Sequence, residues 1–167
     1  LELAPTYPNS RVIKKISQVL ENTVQAIEGE ITIDEFEKIL SSLNESLSHL
    51  TEAGENNWIG RLNSAIGLIN GKELALAVTG NISGFIFRKG RVSLLNDAGQ
   101  NKDLHPLRTF SDMTVGKILK DDQLVLGTSM LIKVINLDKI RSLVAMNNVY
   151  EEATDIFKTL RRQRYFK

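Results

Sequence analysis

Cysteine is absent from the 167-residue chain, so disulfide frameworks and thiolate sites are excluded. The sequence also has no internal repeat, no low-complexity segment and no run of about 18 apolar residues, the length that a bilayer-spanning helix needs. A reducing compartment, the cytoplasm or the cytoplasmic face of a membrane, is therefore the expected location.

An excess of charge of one sign is also missing, since the formal net charge is +1 at pH 7. A global electrostatic attraction to nucleic acid is therefore weak, and nucleic acid is not an expected partner. The charge is nevertheless uneven, because residues 1–57 carry a net −6 and residues 61–167 a net +7. This asymmetry fits two differently charged faces, or it is incidental. An apolar fraction of 42% is typical of a globular domain with a real core.

The first third of the sequence predicts two amphipathic helices that pack as an antiparallel pair and cover one face of the domain. Pro8-Asn9-Ser10 is expected to cap the first helix, and Gly29 stops it. Thr32 and Glu35 have the spacing of a capping box, and Gly54 ends the second helix. The two apolar stripes are Val12, Ile13, Ile16, Val19, Leu20, Val24 and Ile27, then Phe36, Ile39, Leu40, Leu43, Leu47 and Leu50.

The middle third changes to a period of two and predicts a four-stranded antiparallel meander. Its strands are expected at residues 62–69, 73–79, 82–88 and 91–95. Asn70-Gly71 predicts a type I′ hairpin turn, which needs positive φ at both central residues. Lys89-Gly90 predicts a further turn.

The last part predicts a loop, a strand and two helices. Residues 96–114 are polar and irregular, and a loop of this length in a compact domain is usually functional or mobile. Residues 123–127 predict a short strand. Asn136 is expected to cap a helix from Leu137 to about Met146, and another helix is expected from about Val149 to Arg162.

Strands combined with helices on one face predict an α+β fold. The length makes one domain the default, so we expect a single domain over residues 1–167. It would comprise a helical pair at 9–54, a β-rich core at 60–130 and C-terminal helices at 136–163.

The stretch Gly71 to Gly90 resembles a hairpin of the metal-dependent PPM-type protein phosphatases. In that family one strand ends at Gly-Asp-Ser and an aromatic-rich strand ends at Arg-x-Gly; here these positions read Gly80-Asn81-Ile82 and Arg88-Lys89-Gly90. His105-Pro106 and the stretch from Gly116 to Thr128-Ser129-Met130 resemble the approach to the family's Ser/Thr-Asp-Gly motif. The resemblance implies an α-β-β-α sandwich, with antiparallel sheets flanked by helices, reduced in size.

The departures from that family concern its metal ligands. Its chemistry uses two divalent cations, bridged by aspartates, that activate a water against a phosphoester, and such cations prefer carboxylate oxygens. The corresponding positions here hold Asn81, an amide, and Ser129, a hydroxyl. The family's Asp-Gly-Met-Gly-Gly and Asp-Asn elements have no counterpart in the sequence. The resemblance therefore implies the fold without the enzyme: no catalytic residue, no metal ligand and no cofactor.

Other candidate sites have simpler interpretations. His49 is interpreted as a surface histidine and His105 as a loop element, since neither has a recognisable Ser or Asp partner. Asp121-Asp122 predicts a polar turn with surface ion pairs to the neighbouring lysines, rather than a metal pair. The glycines at 80–84 lack the strand-to-helix context of a phosphate-binding loop.

Two regions are candidates for contacts with partners. Trp58 is either a packing anchor or an interface hot spot. Residues 158–167 hold five basic residues and no acidic one. They form either a solvated helix end that suits the helix dipole, or a basic flank next to a membrane if the natural protein continues. The candidate contact residues are Trp58, Arg161, Arg162 and Arg164.

Three functional hypotheses follow. The first is a non-catalytic phosphatase-like domain, a pseudophosphatase that acts as a scaffold or sensor and binds a protein through the edge near Asn81, Trp58 and residues 96–114. The second is a fragment of an active metal-dependent Ser/Thr phosphatase whose missing ligands lie before Leu1. The third is an unrelated α+β protein-interaction domain, which a single sheet would favour.

Overall fold

The structure is a computed structural model of the chain, and it describes residues 2–3, 11–27, 29–96, 105–129, 131, 135–145, 154 and 158. The chain divides into two compact units. Unit 1 comprises Leu1–Ile82 and Asn96–Leu119, and unit 2 comprises Ser83–Leu95 and Lys120–Lys167. The single domain over residues 1–167 stays a prediction.

The two predicted helices are present in unit 1 as α1 (Arg11–Ala26) and α2 (Ile33–Glu52). The capping box is confirmed, because the Glu35 N–H donates to Thr32 Oγ1 at 3.2 Å and the Thr32 N–H donates to Glu35 Oε2 at 2.8 Å. Gly54 follows α2 with φ +88°, as expected of the residue that ends it. The predicted cap Pro8-Asn9-Ser10 lies outside the described residues.

The described strands form two sheets. They are β1 (Glu2–Leu3), β2 (Leu62–Asn70), β3 (Glu73–Thr79), β4 (Ile82–Arg88), β5 (Arg91–Leu94), β6 (Met113–Lys117) and β7 (Gln123–Thr128). One sheet has the order β1-β2-β3-β6 and the other the order β5-β4-β7. Adjacent strands are antiparallel, with Ile66 opposite Ala77 in β2–β3 and Phe87 opposite Val92 in β4–β5.

The prediction of one four-stranded meander is wrong, although all four strands exist. The chain leaves the first sheet after β3 and enters the second with β4, and the second neighbour of β3 is β6 rather than β4. Strand β6 was missed because Met113 and Thr114 were assigned to the loop at 96–114. The pairing of β3 with β6 joins residues distant in sequence, and a local hydrophobic pattern does not encode such a pairing. Residues 97–104 of that loop lie outside the described part.

The first hairpin turn differs from the prediction by one residue. Asn70 pairs with Glu73 as the last residue of β2, so the turn consists of Gly71 and Lys72. Positive φ occurs at Gly71 (+57°) and not at Lys72, which excludes type I′. Asn70 instead donates its side-chain amide to the Ile31 carbonyl, at 3.0 Å, and so joins the hairpin to the α1–α2 connection.

The second hairpin turn has the geometry that was expected of the first. Lys89 and Gly90 both have positive φ, +49° and +74°, between the paired residues Arg88 and Arg91. This two-residue turn with positive φ at both positions fits the right-handed twist of the flanking strands.

Each unit has its own apolar core. In unit 1 the helix pair packs on one face of the first sheet, and Ile16 and Leu43, both 0% exposed, lie with Leu62 and Ala77 in this core. Of the first predicted stripe, Val24 is 48% exposed and does not contribute. In unit 2, Phe85 and Phe87 of β4 pack with Ile135 and Ile140.

Helix α3 (Leu137–Ala145) begins at the predicted cap, where the Lys139 N–H donates to Asn136 Oδ1 at 2.8 Å. Thr154 and Lys158 are helical, and the rest of the helix predicted at 149–162 lies outside the described residues. In the part of the chain that the structure describes, no helix is long and apolar enough to cross a membrane.

Candidate functional site

The link between β3 and β4 is a closely packed corner in unit 1. Gly80 has φ +74°, and a Cβ there would overlap the Leu62 carbonyl oxygen and the Asn63 side chain. The next backbone N–H, that of Asn81, donates to Asn63 Oδ1 at 2.7 Å. Only glycine fits at position 80, and the amide of Asn63 fixes the direction of the chain at Asn81.

Asn81 itself is exposed. The fixed corner therefore presents a neutral side chain to solvent, at the position that the sequence resemblance matches to the Gly-Asp-Ser aspartate of the PPM family. Asn63 was not recognised in the sequence. The signal that could have identified Asn63 is its place in the β2–β3 hairpin: it is a polar residue of β2 that lies beside the end of β3.

The second degenerate position lies in unit 2, after β7. Ser129 is partly buried and helical. A Cβ at Gly127, two residues before Ser129, would overlap the Leu131 side chain. The chain passes from strand to helix here with little room. Asn81 belongs to unit 1 and Ser129 to unit 2.

The residues at these two positions do not fit the divalent cations of the PPM family. Hard cations bind several oxygen ligands, chiefly carboxylates, whereas an amide and a hydroxyl carry no charge. Among the residues that the structure describes, no group of three or more His, Asp or Glu side chains lies close enough together to hold a metal ion.

Asp121 and Asp122 do not act as a pair. Asp121 is exposed and has φ +70°, a turn conformation that aspartate tolerates. The Asp122 side chain is 2% exposed and binds Arg88 in a bidentate manner, with Nε–Oδ1 at 2.8 Å and Nη2–Oδ2 at 2.6 Å. The hydrogen bond to Asp122 raises the pKa of Arg88, which keeps the guanidinium charged.

The prediction of a turn at Asp121-Asp122 is correct, but the sequence did not identify Arg88 as the ion-pair partner of Asp122. Lys117 and Lys120 were the expected partners of this pair of aspartates. Arg88 lies far from Asp122 in sequence and meets it because β4 and β7 are neighbours in one sheet. No local signal identifies it.

The two histidines have the modest roles that were expected. His49 is exposed on α2, with Nδ1 3.3 Å from Glu52 Oε2. His105 precedes a short 3-10 helix (Pro106–Arg108), where its Nδ1 accepts the Leu107 N–H at 3.3 Å. Neither geometry involves a nucleophile.

Trp58 is a packing residue. It is 4% exposed and belongs to the core of unit 1, so its side chain is not an exposed contact, contrary to the second interpretation of this residue. The other candidate contact residues, Arg161, Arg162 and Arg164, lie outside the described residues.

Solved structures with the same fold identify the architecture. The serine/threonine phosphatase PstP/Ppp of Mycobacterium tuberculosis aligns with a TM-score of 0.65 and 13% identity over 89% of this chain and 74% of that chain. PppA of Pseudomonas aeruginosa aligns with a TM-score of 0.60 and 11% identity over 86% and 71%. This chain has the fold of the PPM-type protein phosphatases.

The PPM-like fold confirms the resemblance predicted from the sequence and the α+β class with two antiparallel sheets. The third hypothesis, which a single sheet would have favoured, gains no support, because the described strands form two sheets. No protein-family profile and no curated protein matches the chain. Because the identities are so low, the likeness concerns the fold alone.

Proposed function

We propose that the chain is a non-catalytic phosphatase-like domain, a pseudophosphatase that works as a scaffold or sensor by binding a protein. The observation that carries this proposal is the corner at Asn81. Gly80 and Asn63 hold the backbone in one conformation, yet the residue presented is an exposed neutral amide. A fixed backbone conformation that presents no carboxylate supports a protein-binding surface better than a metal site.

The uncharged Ser129 at the second position supports the same proposal, since hydrolysis by the family's mechanism requires cations held by carboxylates. A regulatory protein of this fold is known, because PppA is described as a key regulatory component of the T6SS in Pseudomonas aeruginosa. For this chain we propose a protein partner, with no nucleic acid and no cofactor. The basic tail would add proximity to a membrane if the natural protein continues.

Calorimetric titration with Mn²⁺ and Mg²⁺ tests the proposal. We expect no binding at micromolar concentrations, because no carboxylate stands at either degenerate position. The catalytic domain of PstP, solved in complex with 2 manganese ions, is the matched positive control. Micromolar binding of either cation by this chain would overturn the proposal.

A competing proposal is a piece of an active Ser/Thr phosphatase. The supporting observation is that the chain aligns with 74% of the PstP chain, so part of that enzyme has no counterpart here. The sequence of the parent gene tests it. Aspartate motifs of the family encoded outside this chain would favour the active enzyme, and their absence would remove the proposal.

A further inference from the structure

Within the described part of the chain, no strand pairs with the outer edge of β5. In the order β5-β4-β7 this strand is terminal. The Leu95 N–H donates to the Gly84 carbonyl at 2.8 Å, and Ser93 lies in the same register opposite Ile86. Since bonding alternates along an antiparallel pair, the N–H and C=O groups of the intervening residues, Val92 and Leu94, point away from β4.

The side chains along β5 divide into an apolar and a basic face. Val92 lies opposite Phe87 and Leu94 opposite Phe85, and Leu94 is 54% exposed. Arg91 projects from the other face, next to the turn residue Lys89, and both are exposed. Within the described residues, neither cation has an acidic side chain at ion-pair distance.

We propose that β5 accepts an extended acidic segment of a partner protein as an additional strand. Main-chain hydrogen bonds to Val92 and Leu94 would supply affinity. Because side chains alternate along a strand, the segment would place apolar residues beside Leu94 and Asp or Glu beside Arg91. The surface deepens the proposed binding function and rests on it.

Charge decides between this occupant and a second copy of the chain. Pairing β5 with β5 of another copy would bring two strands together that each carry Arg91 and Lys89, with no acidic residue within the strand. A second copy of the strand therefore offers Arg91 and Lys89 no opposite charge in either direction of pairing. An acidic segment neutralises the same two cations, so the basic face selects a partner over self-association.

Binding of a short fluorescein-labelled peptide that alternates valine and glutamate, followed by fluorescence anisotropy, tests the surface. Leu94→Pro removes an outward N–H and leaves the bonds to β4 intact, so we expect affinity to fall about tenfold. Arg91→Glu should weaken binding by a similar factor, and the peptide with lysine in place of glutamate should bind the wild-type chain more weakly.

Two variants are matched controls. Val115→Pro removes an outward N–H from β6, the edge strand of the other sheet. The Ile118 N–H donates to the Lys72 carbonyl, and bonding alternates along the strand, so the N–H of Val115 points away from β3. Lys72→Glu makes the same charge change in the β2–β3 turn. Both should bind the peptide as the wild type does.

Absence of binding at about 1 mM peptide, or equal affinity of wild type, Leu94→Pro and Arg91→Glu, would overturn the proposal. A concentration-dependent dimer abolished by Leu94→Pro, without peptide binding, would also overturn it in favour of a second copy. These results are distinct from failure of the proposed function, which is measured by cation titration without peptide.

Discussion

Glu35 illustrates how a single residue makes stability depend on pH. Its carboxylate accepts the Thr32 N–H, and this hydrogen bond is the largest of the effects that hold the pKa of Glu35 below its ordinary value of 4.5; the Thr32 hydroxyl adds to it. A pKa lower in the folded state means stability that is present above pH 4.5 and lost as pH falls through the folded-state pKa.

We therefore predict that Glu35→Gln destabilises the protein near neutral pH and that the difference from wild type shrinks at about pH 3. Urea unfolding at the two pH values measures it. Glu37→Gln, which changes an exposed carboxylate on the same helix, is the control for general charge effects. A Glu35→Gln difference that is the same at both pH values would refute the prediction.

Gly80 and Gly71 show two different reasons why a position requires glycine: a positive φ alone, or a positive φ together with close packing. Both have positive φ, but a Cβ at Gly71 meets nothing within 4 Å, whereas one at Gly80 overlaps β2. We expect Gly71→Ala to cost about 1 kcal/mol of unfolding free energy and Gly80→Ala about 3 kcal/mol. Thermal and urea unfolding measure both. Equal losses would show that the packing at the corner contributes nothing.

Sequence reasoning performs best at this scale. The capping box at Thr32 and Glu35, the helix cap at Asn136 and the turn at Lys89-Gly90 each follow from a few adjacent residues, and all are present. The type I′ turn at Asn70 failed for a tertiary reason, because its side chain bonds Ile31 and the residue completes the β2 ladder.

At the scale of elements, the Arg88–Asp122 pair joins β4 to the turn before β7. Removing the cation alone leaves the buried Asp122 carboxylate without this guanidinium, so Arg88→Met should destabilise the protein. Replacing both, as Arg88→Met with Asp122→Leu, should recover part of this loss because no unpaired charge remains. A double-mutant cycle from urea unfolding measures the coupling. Strictly additive losses would contradict it.

Asn44 makes a comparable connection in unit 1. This α2 residue is 8% exposed, and its Oδ1 accepts the Phe110 N–H at 2.9 Å, ahead of β6. Asn44→Leu would leave that buried N–H without an acceptor and should cost about 1–3 kcal/mol. Hydrogen exchange at the Phe110 amide should accelerate in the variant. Unchanged exchange would show that the bond does not hold this segment.

Connections of this kind, between residues distant in sequence, could not be predicted from the sequence. The helices and most strands follow from apolar periodicity, but β6 and the pairings of β3 with β6 and of β4 with β7 do not. Each depends on contacts between residues such as Asn44 and Phe110, or Arg88 and Asp122, that are distant in the chain. The candidate site fared similarly, because Asn81 was recognised by motif while its support, Asn63, was not.

At the scale of the whole molecule, the sequence motifs anticipated a PPM-like fold, and the structure has one with only 11–13% identity to solved phosphatases. Motif positions and the succession of helices and strands along the chain were enough to suggest the architecture because glycines and turns fix the chain path. They were not enough to locate a binding surface. That surface depends on which strand ends a sheet, as β5 does, and on which side chains remain exposed.

Hydrolysis of p-nitrophenyl phosphate with and without Mn²⁺ tests the central claim, that this fold is used for binding rather than catalysis. We predict no manganese-dependent release of nitrophenol above the buffer blank, with the PstP catalytic domain active in the same assay. Turnover that requires Mn²⁺ and disappears on chelation would contradict the account, because metal-dependent catalysis would then proceed despite the neutral residues Asn81 and Ser129.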